Sequence, residues 1–229
     1  MPRYSNKMIR PLIYLCILAY FLGTCTASAQ NRTAVKPNYT FKDGIYPNLA
    51  AFQADKPQYS MFNVEFSAVV NEEKKVVQVE WIRHKRGDTL RLDSIWGICW
   101  RGRPYIRIPA DSVKRKLAIF AELQVIGNIC LFNYETEVEK LVEIKAYFPE
   151  TGIPFRKGKV RNTETLIKEK MLRLENGEWA TLNQQNLAQW VADYPDLQKA
   201  VKGLAPDRTT ELLPRMVLTY NERNPFYLK

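Results

Sequence analysis

The single histidine restricts the acid–base chemistry that the chain can perform. His84 is the only imidazole among 229 residues, and Lys85 and Arg86 follow it directly. A serine or cysteine nucleophile activated by an imidazole would have to use this side chain, together with a carboxylate that orients it. Asp88 is the candidate for that carboxylate. The position of His84 at the end of a strand, among cations, instead favours an exposed polar residue at the mouth of a hairpin.

Other catalytic and ligand-binding motifs are absent from the sequence. It contains no Gly-x-Ser-x-Gly nucleophile elbow, no glycine-rich phosphate loop and no His-Glu-x-x-His zinc motif. A calcium-binding loop with EF-hand spacing is also missing. We therefore predict no catalytic, cofactor-binding or metal-binding residue, and no cofactor.

Four glutamates within one stretch are the remaining candidates for catalysis. Glu135, Glu137, Glu139 and Glu143 follow an apolar run, and their spacing places them on one face of a strand. Two carboxylates facing each other across a cleft are sufficient for glycoside hydrolysis. Acids on one strand face are more often solvated, however. A carboxylate-dependent hydrolase acting on envelope or dietary glycan is therefore the alternative function, and the protein is more simply interpreted as a non-enzyme.

The four cysteines fall into two groups. Cys16 and Cys25 belong to the first 29 residues, whereas Cys99 and Cys130 each lie in a segment that is apolar on nearly every position. In an oxidising compartment, Cys99 and Cys130 either form one disulfide across the sheet, which needs Cα atoms within about 7 Å, or remain separately buried thiols. Both alternatives stay open. No basic residue directly adjoins either cysteine, so a catalytic thiol is not expected.

Basic residues exceed acidic ones by ten, with 34 Lys and Arg against 24 Asp and Glu. The basic segments, including residues 114–116 and 156–159, fall at predicted turns. Nucleic-acid binding would need this charge on one face, interleaved with stacking aromatic residues, so no nucleic acid is expected. We predict instead a surface rim that attracts anionic lipid, glycan or an envelope protein. The residues of this basic rim are Arg83, Lys85, Arg86, Arg101 and Arg103.

The first 29 residues have the pattern of a secretory signal peptide with a signal helix. Three basic residues precede an apolar run at 12–22, and small residues follow as far as Ala29. The run is shorter than the roughly 20 apolar residues of a membrane span. We predict cleavage after Ala29 and export to the periplasm or the medium. The alternatives are a lipid anchor on Cys25 and an uncleaved N-terminal membrane anchor.

Two kinds of periodicity divide the rest of the chain. Residues 30–42 predict an extended leader, and residues 43–229 predict one globular domain that opens with a short helix at 47–54. Apolar and polar residues alternate along much of 61–182, and helical spacing follows over 183–223. The predicted fold class is α+β, with an antiparallel β-meander curled into a partial barrel or sandwich and followed by two or three C-terminal helices.

Local patterns predict how the layers of this fold are arranged. Residues 95–100 and 123–132 are apolar on nearly every position, which predicts strands covered on both faces. Residues 142–148 alternate, which predicts a half-buried strand. Asn176-Gly177 predicts a hairpin with a type I′ turn. The C-terminal helices are the expected cover of the sheet, and Pro214 fits only in the first turn of the third helix.

Several short motifs are distributed along most of the chain. They are Gly44-Ile45-Tyr46 with Phe52 and Lys56-Pro57, Asp93-Ser94-Ile95-Trp96-Gly97, residues 125–132, the Asn176-Gly177 turn, Asp193-Tyr194-Pro195-Asp196-Leu197 and Tyr220-Asn221-Glu222-Arg223-Asn224-Pro225. In order and spacing they resemble a family of uncharacterised secreted or periplasmic proteins of Bacteroidota. The stretch between the central strands, residues 109–116, is longer and more basic than the corresponding stretch of that family. The resemblance implies export and one β-rich domain with a helical tail, and it implies no activity.

These features together predict an exported protein of the cell envelope, or a secreted one. Its expected role is that of a non-enzymatic binding module. The expectation follows from the missing catalytic motifs and from the many aromatic residues on the predicted sheet.

Overall fold

Antiparallel strands and three C-terminal helices make up most of the fold, which confirms the predicted α+β class. The structure, a computed structural model, describes residues 33–36, 39–110 and 117–229, and residues 33–229 belong to one unit. The predicted signal segment, with Cys25 and Ala29, lies outside the described residues, and so do the basic residues 114–116.

The larger sheet has eight strands and is antiparallel throughout. Its bounds are Gly44–Tyr46 (β2), Tyr59–Ser60 (β3), Val64–Asn71 (β4), Val76–His84 (β5), Thr89–Leu90 (β6), Gly97–Trp100 (β7), Arg103–Arg107 (β8) and Ala118–Glu122 (β9). The strand order is β3-β2-β7-β8-β9-β5-β4, with β6 paired to β5. This order differs from a simple meander, because β2 and β7 are neighbours although four strands separate them along the chain.

One face of the larger sheet packs on itself. Ile45, Val77, Ile98, Tyr105 and Phe120 come from five different strands and belong to one buried cluster. All members of this cluster lie between residues 45 and 120, so no other layer of the described chain covers this face, and the strands must curl to bury it. The predicted partial barrel is thereby confirmed.

A second sheet is dominated by one long hairpin. Strand β10 spans Ile129–Tyr147, β11 spans Pro154–Arg173, and the short β12 spans Trp179–Thr181. Strand β12 pairs only with residues 170–172 of β11. Strands β10 and β11 therefore form a two-stranded ribbon over most of their length.

The start of β10 lies between two hydrophobic cores. Cys130 and Phe132 pack with residues of the larger sheet in one core. Ile129 and Leu131 pack with the C-terminal helices in the other. Successive side chains of a strand point to opposite faces, so a strand between two cores is apolar at every position. The predicted cover on both faces is confirmed for residues 129–132, whereas residues 123–128 of the predicted strand precede β10 and Gln124 is exposed.

The C-terminal helices cover one face of the ribbon at its base. Helix α1 spans Leu49–Gln53, and the C-terminal helices span Gln184–Trp190 (α2), Pro195–Lys202 (α3) and Thr209–Arg223 (α4). The Asn183 side chain accepts a hydrogen bond from the Asn186 N–H and so caps α2, and Pro195 begins α3. The Asn221 side chain of α4 accepts from the Ile129 N–H at 2.9 Å and donates to its carbonyl at 2.8 Å. This pair of bonds fixes α4 to the first residue of β10.

Three local predictions differ from the structure. Pro214 is the sixth residue of α4, beyond the first turn, where the helix lacks one backbone hydrogen bond because proline has no N–H. Pro47 precedes α1, whose N-cap is Asn48. At the Asn176-Gly177 hairpin only Gly177 has a positive φ, of 78°, so the turn is not type I′, which needs positive φ at both central residues.

The segment predicted as a leader contributes to the fold. Ala34–Val35 (β1) pairs with Phe226–Tyr227 (β13) near the end of the chain. Phe41 is buried, and its ring stacks on that of Phe52 with centroids 4.3 Å apart. The folded unit therefore includes residues well before the predicted boundary at 43.

A buried carboxylate holds this N-terminal segment in place. Asp55 Oδ2 accepts a hydrogen bond from the Tyr39 hydroxyl at 2.7 Å, and Oδ1 accepts from the Lys42 N–H at 3.0 Å. The Tyr46 hydroxyl donates to Oδ1, also at 2.7 Å. Burial, together with the neighbouring Asp55, raises the pKa of Tyr39 to about 12 and that of Tyr46 further. Asp55 has a φ of 48°, which asparagine and aspartate tolerate better than most residues.

Truncation of two leucines on β10 should have different effects on stability, because one leucine lies in the anchored part of the strand and the other in its exposed outer part. Leu131 is 7% exposed and Leu141 is 64% exposed. Leu131→Ala is expected to lower the free energy of unfolding by about 2–5 kcal/mol, because it leaves a cavity. Leu141→Ala is expected to change it by less than about 0.5 kcal/mol. Denaturant unfolding of both variants measures this, and equal losses would contradict the assignment of the two cores.

Asp55→Asn is expected to destabilise the protein by about 1–3 kcal/mol, because one of the two acceptor oxygens becomes a donor. Asparagine tolerates the same φ, so the change tests hydrogen bonding rather than backbone strain. The exposed Asp207 provides the control, since Asp207→Asn should change the free energy of unfolding by less than about 0.5 kcal/mol. Equal stability of the two variants would refute the role of Asp55.

Candidate functional site

The outer part of the long hairpin projects from the folded unit. We call residues 137–165 the arm. Every described side chain in this range is exposed, whereas β10 is largely buried before it. At about 3.4 Å per residue, the β10 half of the arm extends about 35 Å. The sequence predicted a half-buried strand at 142–148, and this prediction is wrong.

The two faces of the arm differ in character. Directly paired residues share a face, and the pairs Val142–Val160 and Ile144–Gly158 lie on the same face as Val138. This face also carries Lys140, Glu164 and Arg156, but most of its β10 side chains are apolar. It continues the face on which Cys130 and Phe132 contact the core, and we call it the apolar face. Eight of the fourteen exposed large hydrophobic side chains among the described residues belong to the arm.

The opposite face carries charge that changes sign along its length. Glu137 and Glu139 lie near the base, and Lys145, Lys157 and Lys159 lie near the far end. Residues 144–161 contain five basic residues and one acidic residue, Glu150. The far end of the arm is therefore strongly positive.

Apolar side chains also occupy the tip, which we define as residues 147–153. The Phe148 N–H donates to the Ile153 carbonyl at 3.0 Å, and the Gly152 N–H donates to the Phe148 carbonyl at 2.9 Å. Gly152 has a φ of 65°, which glycine adopts without strain. This closed turn presents Tyr147, Phe148 and Ile153, which are 53%, 51% and 60% exposed.

The base of the arm is held firmly. Lys74 Nζ lies 2.7 Å from Glu135 Oε2, which joins the β4–β5 turn to the ribbon just below the arm. Below this ion pair, both faces of β10 are buried in the two cores. The arm therefore extends from a fixed point of the fold.

The candidate catalytic glutamates lie on this ribbon. Glu135, Glu137, Glu139 and Glu143 share one face of β10, as their spacing predicted. Glu137, Glu139 and Glu143 are exposed to solvent on one face of the two-stranded ribbon. The hydrolase stays a prediction, and this arrangement does not add to its support.

The predicted basic rim is divided between two ends of the larger sheet. Arg83 and Lys85 lie at the end of β5, where Arg83 forms an ion pair with Glu65 at 2.9 Å. Arg101 and Arg103 lie at the β7–β8 turn, beside the opposite end of β5. The length of β5 separates the two groups by about 25 Å. Arg86 remains with Arg83, in the turn that follows His84.

A small pocket lies beside the second group. It has a volume of about 170 Å³ and is lined by Glu72, Lys75, Trp100, Arg101 and Arg103, together with neighbouring residues. The Arg101 guanidinium lies 4.6 Å from the centroid of the Trp100 ring, and Arg103 lies 3.9 Å from Glu122. The cations of this pocket thus already interact with side chains of the protein itself.

His84 lies where the sequence predicted it, at the end of β5. Its Nδ1 accepts a hydrogen bond from the Arg86 N–H at 3.2 Å, and its ring lies 5.5 Å from that of Tyr59. The backbone N–H of His84 donates to the Asp88 carbonyl. Asp88 therefore contacts His84 through its backbone, in a tight hairpin turn.

Cys99 and Cys130 are both buried, and both are free thiols. Burial raises the pKa of Cys130 to about 12. Burial, followed by the nearby Asp43 carboxylate, raises the pKa of Cys99. Because the thiolate is the nucleophile, this environment suppresses the reactivity of both side chains.

Within the described part of the chain, no group of three or more His, Cys, Asp or Glu side chains is arranged to hold a metal ion. The helices of this part include none that is long and apolar enough to cross a membrane. The chain matches no known protein family, and it shows no significant similarity to curated proteins or to solved structures.

Sequence reasoning missed the arm because alternation is the same for a half-buried strand and for an exposed amphipathic one. A usable signal was the density of charge. Five of the eleven residues from 137 to 147 are charged, and 154–165 also intersperse charges among apolar residues. The Asp55 network was missed for another reason, since its members are separated along the chain and meet only in the fold.

Alkylation should distinguish the two alternatives for the cysteines. In the folded protein we expect both thiols to react slowly, because burial disfavours the thiolate. After unfolding without reductant, the peptides that contain Cys99 and Cys130 should both be alkylated, as measured by mass spectrometry. Alkylation that requires prior reduction would show a disulfide and contradict the prediction.

Proposed function

We propose that the protein is a non-enzymatic binding module of the cell envelope and that the arm is its binding element. The observation that carries this proposal is the concentration of exposed apolar side chains on one projecting hairpin. Large exposed apolar surfaces on soluble proteins typically mark sites of interaction. The partner classes expected from the sequence are an envelope protein, an anionic lipid or a glycan.

The physical cost of the arm supports this role. An isolated two-stranded hairpin is at best marginally stable in water, because neither of its faces is covered. The arm also adds little to the cores, since its side chains beyond Glu135 are exposed. A long ribbon with an apolar face therefore contributes more as a contact surface than as part of the fold.

The N-terminal sequence supports the envelope as the location. Residues 1–29 combine a basic start, an apolar run and a small-residue end. The resemblance to secreted or periplasmic proteins of Bacteroidota agrees with export. Export would place the arm where envelope surfaces are the available partners.

Removal of the arm tests the proposal. In the variant, residues 137–165 are replaced by Asn-Gly, which joins the directly paired Thr136 and Leu166. The anchored base is retained, so we expect an unfolding transition close to that of the full chain. Association of the purified protein with isolated cell envelopes, measured by co-sedimentation, should weaken about tenfold or more, which corresponds to about 1.4 kcal/mol of binding.

The matched control changes exposed surface outside the arm. Lys199→Gln/Lys202→Gln removes two exposed positive charges from the last turn of α3 and should leave envelope association unchanged. If the variant without the arm folds and still associates as strongly as the full chain, the arm is not the binding element.

A further inference from the structure

We propose that the partner of the arm is the surface of an anionic lipid bilayer, which the tip enters to the depth of the headgroups. This inference rests on the proposed function, because it names the partner of the same arm. The side chains that enter are those of Tyr147, Phe148 and Ile153.

The position of the apolar tip suits contact with a planar surface. Tyr147, Phe148 and Ile153 are exposed around one closed turn at the far end of a ribbon about 35 Å long. A projecting tip can reach a bilayer without requiring contact by the rest of the molecule. Tyrosine is also suited to the boundary between headgroups and hydrocarbon, because its ring is apolar and its hydroxyl is polar.

The charge around the tip complements an anionic surface. Lys145, Lys157 and Lys159 share the charged face directly behind the tip. Lysine stems can lie along apolar surface while the ammonium groups stay at the level of the lipid phosphates. Each basic residue close to an anionic leaflet contributes about 1 kcal/mol, which is about fivefold in binding. The positive charge is thus located where the headgroups would be when the tip is inserted.

The backbone limits the depth of entry. A two-stranded ribbon has N–H and C=O groups along both outer edges, and these groups cannot leave water for hydrocarbon without large cost. The turn at the tip exposes less backbone than the ribbon does, because it is short and makes two backbone hydrogen bonds within itself. Entry therefore stops near the interface, at the point where the lysines reach the phosphates.

A second copy of the chain suits the tip less well. Residues 144–161 carry five basic residues and one acidic residue, so two tips would repel each other. The same excess of positive charge attracts phosphate-bearing lipid. Self-association through the arm is the competing possibility, and the experiments below distinguish it from lipid binding.

Tryptophan fluorescence tests entry of the tip. Tryptophan is absent from the arm, so Phe148→Trp adds a reporter at the tip and Leu141→Trp adds one on the charged face of the same ribbon. Vesicles of phosphatidylcholine with roughly one-third phosphatidylglycerol supply the anionic surface. With these vesicles, we expect the tryptophan emission maximum of Phe148→Trp to shift to shorter wavelength, measured against the unaltered chain. The emission maximum of Leu141→Trp should not shift. Vesicles of phosphatidylcholine alone should produce neither shift.

Sedimentation with the same vesicles separates the roles of charge and apolar contact. Lys157→Gln/Lys159→Gln should weaken binding by roughly 25-fold, from about fivefold for each charge. Raising the salt concentration to about 0.5 M should weaken binding of the full chain in the same direction. Tyr147→Ser/Ile153→Ser should remove stable binding while leaving the charge unchanged. Lys199→Gln/Lys202→Gln, which removes the same charge elsewhere, should bind as the full chain does.

The outcomes distinguish this inference from the proposed function. Equal binding to anionic and neutral vesicles, or no binding to either, overturns the lipid assignment. If envelope association nevertheless depends on the arm, the proposed function stands with another partner. Arm-dependent dimers in analytical ultracentrifugation, without vesicle binding, would identify a second copy as the occupant. If the variant without the arm folds, binds anionic vesicles and associates with envelopes as the full chain does, both proposals fail.

Discussion

The strict alternation of side chains along the first six residues of β10 is the constraint on which the remaining structure depends. Because neighbouring residues of a strand point to opposite faces, Cys130 and Phe132 enter the core shared with the larger sheet, and Ile129 and Leu131 enter the core shared with the helices. One short stretch of chain thereby belongs to both cores. A shift of one residue would exchange the two sets, so the register of the ribbon is strongly determined.

This anchorage explains how one pair of strands can have two different parts. Over residues 129–132, burial on both faces demands apolar residues at every position. Above this stretch, the described side chains of β10 from residue 137 onward are exposed, and the alternation of apolar and charged residues continues outside the two cores. The base contributes to the stability of the fold and sets the direction in which the ribbon projects. The side chains of the arm contribute little to either core. An amphipathic ribbon with a basic, aromatic tip is the result.

Much of the fold follows from local pattern. The nearly apolar run at 123–132 predicts cover on both faces, which holds for residues 129–132, and the C-terminal helices begin and end close to residues such as Pro195 and Gly203 that dictate helix boundaries. The candidate site is harder to predict from the sequence. Residues 142–148 have the pattern of a half-buried strand. Whether the apolar face of such a strand packs on a core depends on how far the strand extends beyond that core. Arg83 and Arg101 likewise both lie near turns, but the register places them at opposite ends of β5.

The sequence by itself determined the α+β class, the two-sided burial at the start of β10, and the amphipathic character of the arm, because these depend on periodicities of a few residues. Only the tertiary structure decided that the apolar face of the arm lies in solvent, that Asp55 meets Tyr39 and Tyr46, and that the basic rim is divided. These features depend on which distant segments come together. The register and curl of the whole sheet determine which distant segments lie close together, and the local spacing of residue types does not specify this.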